Sequence, residues 1–379
     1  MSGRTNLLIN KKRLLEKDCS FLVVTFIYYI ITLLSKNNFG IFSNFYVPDG
    51  QTLHYSASTF SAVDIENLDP GFASYLIYYP VQWIGFLLYY LVNVTCLFVI
   101  AKRIGYACLF LIPYYIVSIS LPSKDILILT ITIIFLNFIT TKRWLPAALT
   151  ALISYVFRDG STLVMLGNLI VLWLMTFRPL SPRLILVSTL VLASLSSTIL
   201  LDYGSELWIV SRNLNQALTT PHNLEYGSPV DYLIRLFGNA TNLAFRPSIN
   251  DNTHGVAVLG VSYFISGISM LVCLMYAIKT IVVAPLRVNQ QNQTLVILSL
   301  FFLISLLIIS LNPLVQPRYG LPFGTALLGY LITSNNTKTM VTYYAIATLL
   351  VLIAFIAYKN SSIIEVQPFT TEEFTLVGL

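Results

Sequence analysis

The stretch SLPSKDILIL, Ser120–Leu129, sets Pro122, Lys124 and Asp125 between two long runs of apolar side chains. A bilayer core holds no water to satisfy a backbone, and charge placed there is costly. The pair therefore marks a joint between two spanning helices, one ending near Leu121 and the next starting at Asp125. What the joint does depends on which side of the membrane it faces and on what else faces that way.

Composition sets the frame. Of 379 residues, 56% are hydrophobic and only 10% charged, too few charges to cover a soluble surface. The chain reads as a polytopic membrane protein. Lys11, Lys12, Arg13 and Lys17 precede the first apolar run, Cys19 to Leu34, and no small-residue cleavage site follows it. It is an uncleaved first span. Cys19, Cys96, Cys108 and Cys273 fall in or at the edge of spans with no CxxC or other metal spacing, and they read as small apolar residues. The net charge of +6 is scattered in pairs rather than gathered in a stripe, which excludes nucleic acid as a partner.

Apolar stretches long enough to cross a bilayer, or nearly so, recur at 19–36, 81–101, 104–121, 125–141, 144–157, 162–177, 184–201, 255–278, 294–312, 320–333 and 339–358. The expected class is all-α, a bundle of about eleven spans, with 144–157 and 320–333 the shortest. Basic residues give the orientation. With the N-terminus inside, every short inner loop carries Lys or Arg: Lys102 and Arg103, Lys142 and Arg143, Arg178 and Arg183, Lys279 and Arg287, and Lys338. Of the 16 acidic residues, only Glu16 and Asp18 fall inside.

Two outer loops are long, 37–80 and 202–254. The second contains SPVDYLIRLFGNATNLAF, Ser228–Phe245, whose apolar residues recur at three- and four-residue steps, as in an amphipathic helix lying in the outer interface. Residues 1–358 form one transmembrane catalytic domain, and 359–379 a polar, acidic tail.

The seam at Lys124 and Asp125 thus faces outward. So do YVPDGQTLHY (Tyr46–Tyr55), VFRDGS (Val156–Ser161) and VQPRYGLPF (Val315–Phe323). Each places ionisable groups at the end of a span, where charges pair or line a wet cavity. Arg158, Arg318 and Lys124 supply two planar forks and a point charge suited to phosphate or pyrophosphate. Asp49, Asp125 and Asp159 are of the type that acts as a base or holds such cations in place. No Gly-rich phosphate loop accompanies them, so the ligand is read as a lipid-linked phosphate rather than a nucleotide. Blander readings stand beside these. Lys124 with Asp125, and Arg158 with Asp159, suit simple neutralisation at a helix start. Arg318 suits an interfacial anchor, and Asp49, between Pro48 and Gly50, suits a turn. His54, His222 and His254 all lie outside.

LPSKDILIL followed by a span ending in VFRDGS resembles the Wzy-type oligosaccharide repeat-unit polymerases, including O-antigen polymerases and EpsG-like proteins. The first outer loop, FYVPDGQTLHYSAS, resembles that of the broader GT-C class of polyprenyl-dependent glycosyltransferases, and QPRYGLPF is similar to a late Arg/Tyr/Pro step in several such chains. The resemblance implies an inverting transferase at the outer face of the bacterial inner membrane. It would join undecaprenyl-pyrophosphate-linked glycans, as donor and acceptor, without nucleotide or metal, with a chain-length regulator protein as a further implied partner. Carried over, Arg158 and Arg318 hold the donor pyrophosphate with Lys124 nearby, while Asp125, Tyr319 and His54 support them. Asp49, His254 or Asp159 takes the acceptor proton. The chain departs from the GT-C pattern where two neighbouring acids belong in the first loop, since Asp49 stands alone there. A GT-C enzyme using a polyprenyl-monophosphate sugar and a lipid-linked oligosaccharide transporter are the alternatives.

The orientation predicts labelling. In a chain freed of its own cysteines, Cys at 36 or 359 reacts with a membrane-impermeant maleimide in intact cells, and Cys at 103 or 142 reacts only after lysis; the reverse pattern would invert the topology.

Overall fold

The computed structural model describes residues 16–32, 72–120, 122–177, 181–204, 229–245, 254–283, 290–312, 317–334 and 337–360. Among these residues every regular element is a helix, and the class is all-α as expected. Helix α1 covers 16–32. It is followed by α2 (Phe72–Tyr78), α3 (Val81–Ile84), α4 (Leu87–Ile104), α5 (Tyr106–Leu111), α6 (Tyr114–Val117) and α7 (Lys124–Thr140). Next come α8 (Trp144–Ile153), α9 (Asp159–Phe177), α10 (Pro182–Gly204), α11 (Pro229–Phe245) and α12 (His254–Val283). The chain closes with α13 (Gln290–Ile309), α14 (Leu321–Thr333) and α15 (Thr337–Asn360). One-turn 3₁₀ helices at Ser118–Ser120, Ser154–Val156 and Pro317–Gly320 precede α7, α9 and α14.

The apolar run 104–121 is not one helix. Gly105, at φ 88°, ends α4 in a conformation that only glycine adopts without strain. Pro113 ends α5: it offers no N–H, and it pushes Ile112 out of the helical region to φ −123°, ψ 71°. Each break frees backbone groups that must be paired when buried. Ser269 Oγ on α12 donates to Leu111 O at 2.6 Å, and Ser266 Oγ, also on α12, accepts from Tyr114 N at 3.3 Å. Asn93 Nδ2 on α4 donates to Ser118 O and Ile119 O at 3.3 and 3.1 Å. A broken helix survives here because polar side chains on its neighbours take over its missing ladder.

The core is built around α14, which packs against α4, α5, α7, α12 and α13 and is buried from Leu321 to Gly329. Two of its glycines allow close approach. A Cβ on Gly329 would stand 2.4 Å from Ile104 Cβ, and one on Gly324 would stand 2.5 Å from Met270 Sδ. Small residues at helix crossings bring the backbones together and gain dispersion contacts.

Helices Leu87–Ile104 and Val261–Val283 are long and apolar enough to cross a membrane, and Trp144–Val156, Gly160–Met175, Pro182–Ser197, Gln293–Ile309 and Thr339–Ile353 are shorter apolar helices. Large apolar side chains also point outward: Leu145 is 72% exposed, Leu192 64% and Leu349 58%. The amphipathic segment expected at Ser228–Phe245 is the helix α11. Its faces are inverted relative to a soluble helix. Tyr232, Arg235 and Asn239 are buried, while Leu233, Ile234 and Phe237 are exposed.

The α4–α14 crossing is testable. Gly329→Val forces branched carbons into Ile104 and costs about 1–3 kcal/mol, read as a lowered melting temperature of the detergent-solubilised protein. Gly160→Ala, where nothing lies within 4 Å of the added carbon, leaves melting close to wild type.

Candidate functional site

The seam Ser123–Asp125 begins α7, and its local sequence explains how. Ser123 sits in extended backbone (φ −132°, ψ 106°), and its Oγ accepts from Ile126 N at 3.4 Å, the capping geometry that starts a helix. Ser123 is held in turn by Tyr78, whose hydroxyl accepts from Ser123 N at 3.3 Å and donates to Asn93 Oδ1 at 2.7 Å. Asp125 then falls in the first turn of α7, where the helix dipole favours a negative charge.

Asp125 is buried, and its ion pair is with a distant residue in the sequence. Arg158 Nη1 stands 2.7 Å from Asp125 Oδ1, with side-chain exposures of 11% and 5%. The other carboxylate oxygen accepts from the hydroxyl of Tyr114, the first residue of α6. Tyr114 is stacked on Tyr263 of α12, with ring centroids 5.3 Å apart and planes 19° from parallel. One carboxylate thus joins the start of α7, the turn before α9 and the broken α5–α6 segment.

Arg158 lies between the 3₁₀ turn Ser154–Val156 and α9, in a backbone tied at several points. Arg158 N donates to Ser154 O at 2.9 Å, and Ser161 Oγ donates to Arg158 O at 2.6 Å. Ser154 Oγ and Thr162 Oγ1 are 3.0 Å apart. The guanidinium carbon of Arg158 is 4.3 Å from the centre of the Tyr319 ring, and that of Arg318 is 5.5 Å from the same centre. Two cations therefore share one aromatic face system, a favourable contact for each. The Pro317–Gly320 turn that carries Arg318 and Tyr319 is pressed onto the core: a Cβ on Gly320 would lie 3.2 Å from Leu306 Cδ2. Lys124 Nζ stands 4.9 Å from the ring centre of Tyr75 on α2.

Of the residues singled out from sequence, the fold brings together Asp125, Arg158, Arg318 and Tyr319, from three separate clusters of the sequence. Lys124 is the neighbour of Asp125 and meets α2. Asp159 and His254 open α9 and α12, and their side chains lie outside the described residues, as do Asp49 and His54 entirely. Sequence reading missed Tyr114, Tyr263, Tyr78 and Asn93. Asn93, a polar residue in the middle of an apolar run, was the signal for Tyr78; nothing in the sequence distinguishes Tyr114 among 23 tyrosines. Among the described residues, no group of three His, Cys, Asp or Glu comes together.

Chemically, the arrangement is a buried carboxylate that fixes one arginine beside another. A guanidinium has five N–H donors, so pairing through Nη1 leaves donors of Arg158 for a second anion. No family model, curated protein or solved structure matches this chain.

The pair also sets stability. Arg158→Met leaves Asp125 buried without its cation and costs about 3–5 kcal/mol. The double variant D125L/R158M removes both charges and recovers most of that loss in thermal melting. Equal losses in the single and double variants would mean that the pair contributes packing alone.

Proposed function

We propose that this chain is a membrane-embedded, inverting glycosyltransferase that polymerises undecaprenyl-pyrophosphate-linked oligosaccharide repeat units at the outer face of a bacterial inner membrane. The observation that carries the reading is the meeting of Arg158 and Arg318 at Tyr319, from segments 160 positions apart, beside the buried Asp125. The two apolar helices of spanning length and the outward apolar side chains support a membrane-embedded bundle, and the alternation of basic loops along the sequence is the ground for reading about eleven spans with this site on the outer side.

In this mechanism Arg158 and Arg318 bind the pyrophosphate of the donor, with Asp125 and Tyr114 fixing the first guanidinium. An acceptor hydroxyl attacks the donor anomeric carbon from the opposite face. The new glycosidic C–O bond forms as the bond to the pyrophosphate oxygen breaks, and the electron pair leaves with the carrier lipid. Charge grows on that oxygen as the bond opens, so cations placed beforehand stabilise the transition state more than the ground state. The acceptor proton passes to a base, for which Asp49, His254 and Asp159 are the candidates. No metal enters the scheme. A GT-C enzyme that adds single sugars from a polyprenyl monophosphate fits the same cations less well, because a monophosphate engages fewer donors than two forks present.

Purified protein given only a pyrophosphate-linked repeat unit yields a ladder of longer glycans. R318A, expressed at wild-type level, loses about 100-fold or more of that activity. A requirement for a monophosphate-linked sugar, with one unit added per acceptor, would replace this reading with the GT-C alternative. Movement of unextended substrate between leaflets would replace it with a transporter.

A further inference from the structure

We infer that Arg235, on the inverted amphipathic helix α11, is a positioning residue that holds the Arg318–Tyr319 turn against Arg158. The inference rests on the reading of that turn as an anion site. Arg235 is only 3% exposed, a costly place for a guanidinium unless its donors are used. Its two terminal nitrogens bridge the end of α13 and α10. Nη1 donates to Leu311 O at 3.3 Å and to Asn312 O at 2.9 Å, while Nη2 donates to Ser197 Oγ of α10 at 2.8 Å.

Leu311 and Asn312 follow the last turn of α13, where carbonyls lack intrahelical donors and the helix dipole is negative. A cation belongs there, and a planar fork reaches two carbonyls and a hydroxyl at once. Two more side chains of α11 bind the same helix end. Tyr232 Oη donates to Leu307 O at 2.9 Å, and Asn239 Nδ2 donates to Ser310 Oγ at 3.2 Å.

Asn312 is the last described residue before Pro317 and Arg318, a few positions on. The same α11 also packs directly against the Pro317–Gly320 turn. So one helix fixes both the root of the turn and the turn itself, and Arg235 supplies the charged contact at the root. This makes α11 a brace for the second cation of the site, as Asp125 is for the first.

The test uses full-length protein in detergent, with inorganic pyrophosphate as the probe and amide hydrogen exchange as a ligand-free readout. In R235Q the amides of 318–320 exchange faster while α12 keeps wild-type protection, and R235K lies between. Pyrophosphate affinity falls about tenfold in R235Q, and R235Q/R318Q binds no more weakly than R318Q alone, since both act on one contact. Unchanged exchange at 318–320, losses that add in the double variant, or faster exchange spread evenly over α10, α12 and α13 would each overturn the inference. A wild-type protein that binds no pyrophosphate sinks the anion site itself, and the exchange arm then decides alone whether Arg235 holds the turn.

Discussion

A single buried carboxylate organises the polar side of this molecule. Asp125 has one oxygen against the Arg158 guanidinium and the other accepting from Tyr114. Charges so shielded from water are tolerated only when each is answered by another group. The three segments that meet at Asp125 are therefore bound to one arrangement, because displacing any of them strands a charge or a hydroxyl among apolar side chains.

The irregular backbone near this centre follows from the same constraint. Tyr114 reaches Asp125 because Pro113 ends α5 and allows α6 to start in a new direction. The break is viable because Ser266, Ser269 and Asn93 answer the backbone groups it frees. Each of these is a small or polar residue in an otherwise apolar helix. Their placement is a cost in local helix stability that is offset where the broken segment packs. The inverted helix α11 repeats the pattern at the other side of the site, with polar residues inward on carbonyls and apolar residues outward.

Two arginines beside one tyrosine are held by different means. Arg158 is fixed by charge, through a carboxylate one helix away. Arg318 is carried by a short turn whose own seat is Gly320 on Leu306 and whose approach is braced at the end of α13. Cations of like sign repel, so keeping them near one ring requires both supports. A polyanionic ligand relieves that repulsion, and this is the physical ground for assigning the proposed pyrophosphate-bearing substrate to this place.

Sequence by itself determined the helical class and the amphipathic helix at 229–245, and it singled out Asp125, Arg158, Arg318 and Tyr319, which the fold brings together. Hydropathy, helical periodicity and side-chain chemistry are local properties, and each is legible within a window of about twenty residues. It misjudged the run 104–121, where Gly105 and Pro113 were visible but apolar length outweighed them. It left open whether Asp125 neutralises Lys124 or another cation, and it gave no reason to choose Tyr114 or Arg235. Those were decided by tertiary structure alone, because the partners of a buried charge are whatever the helix crossings bring within a few ångströms, and crossings depend on residues far apart in the chain.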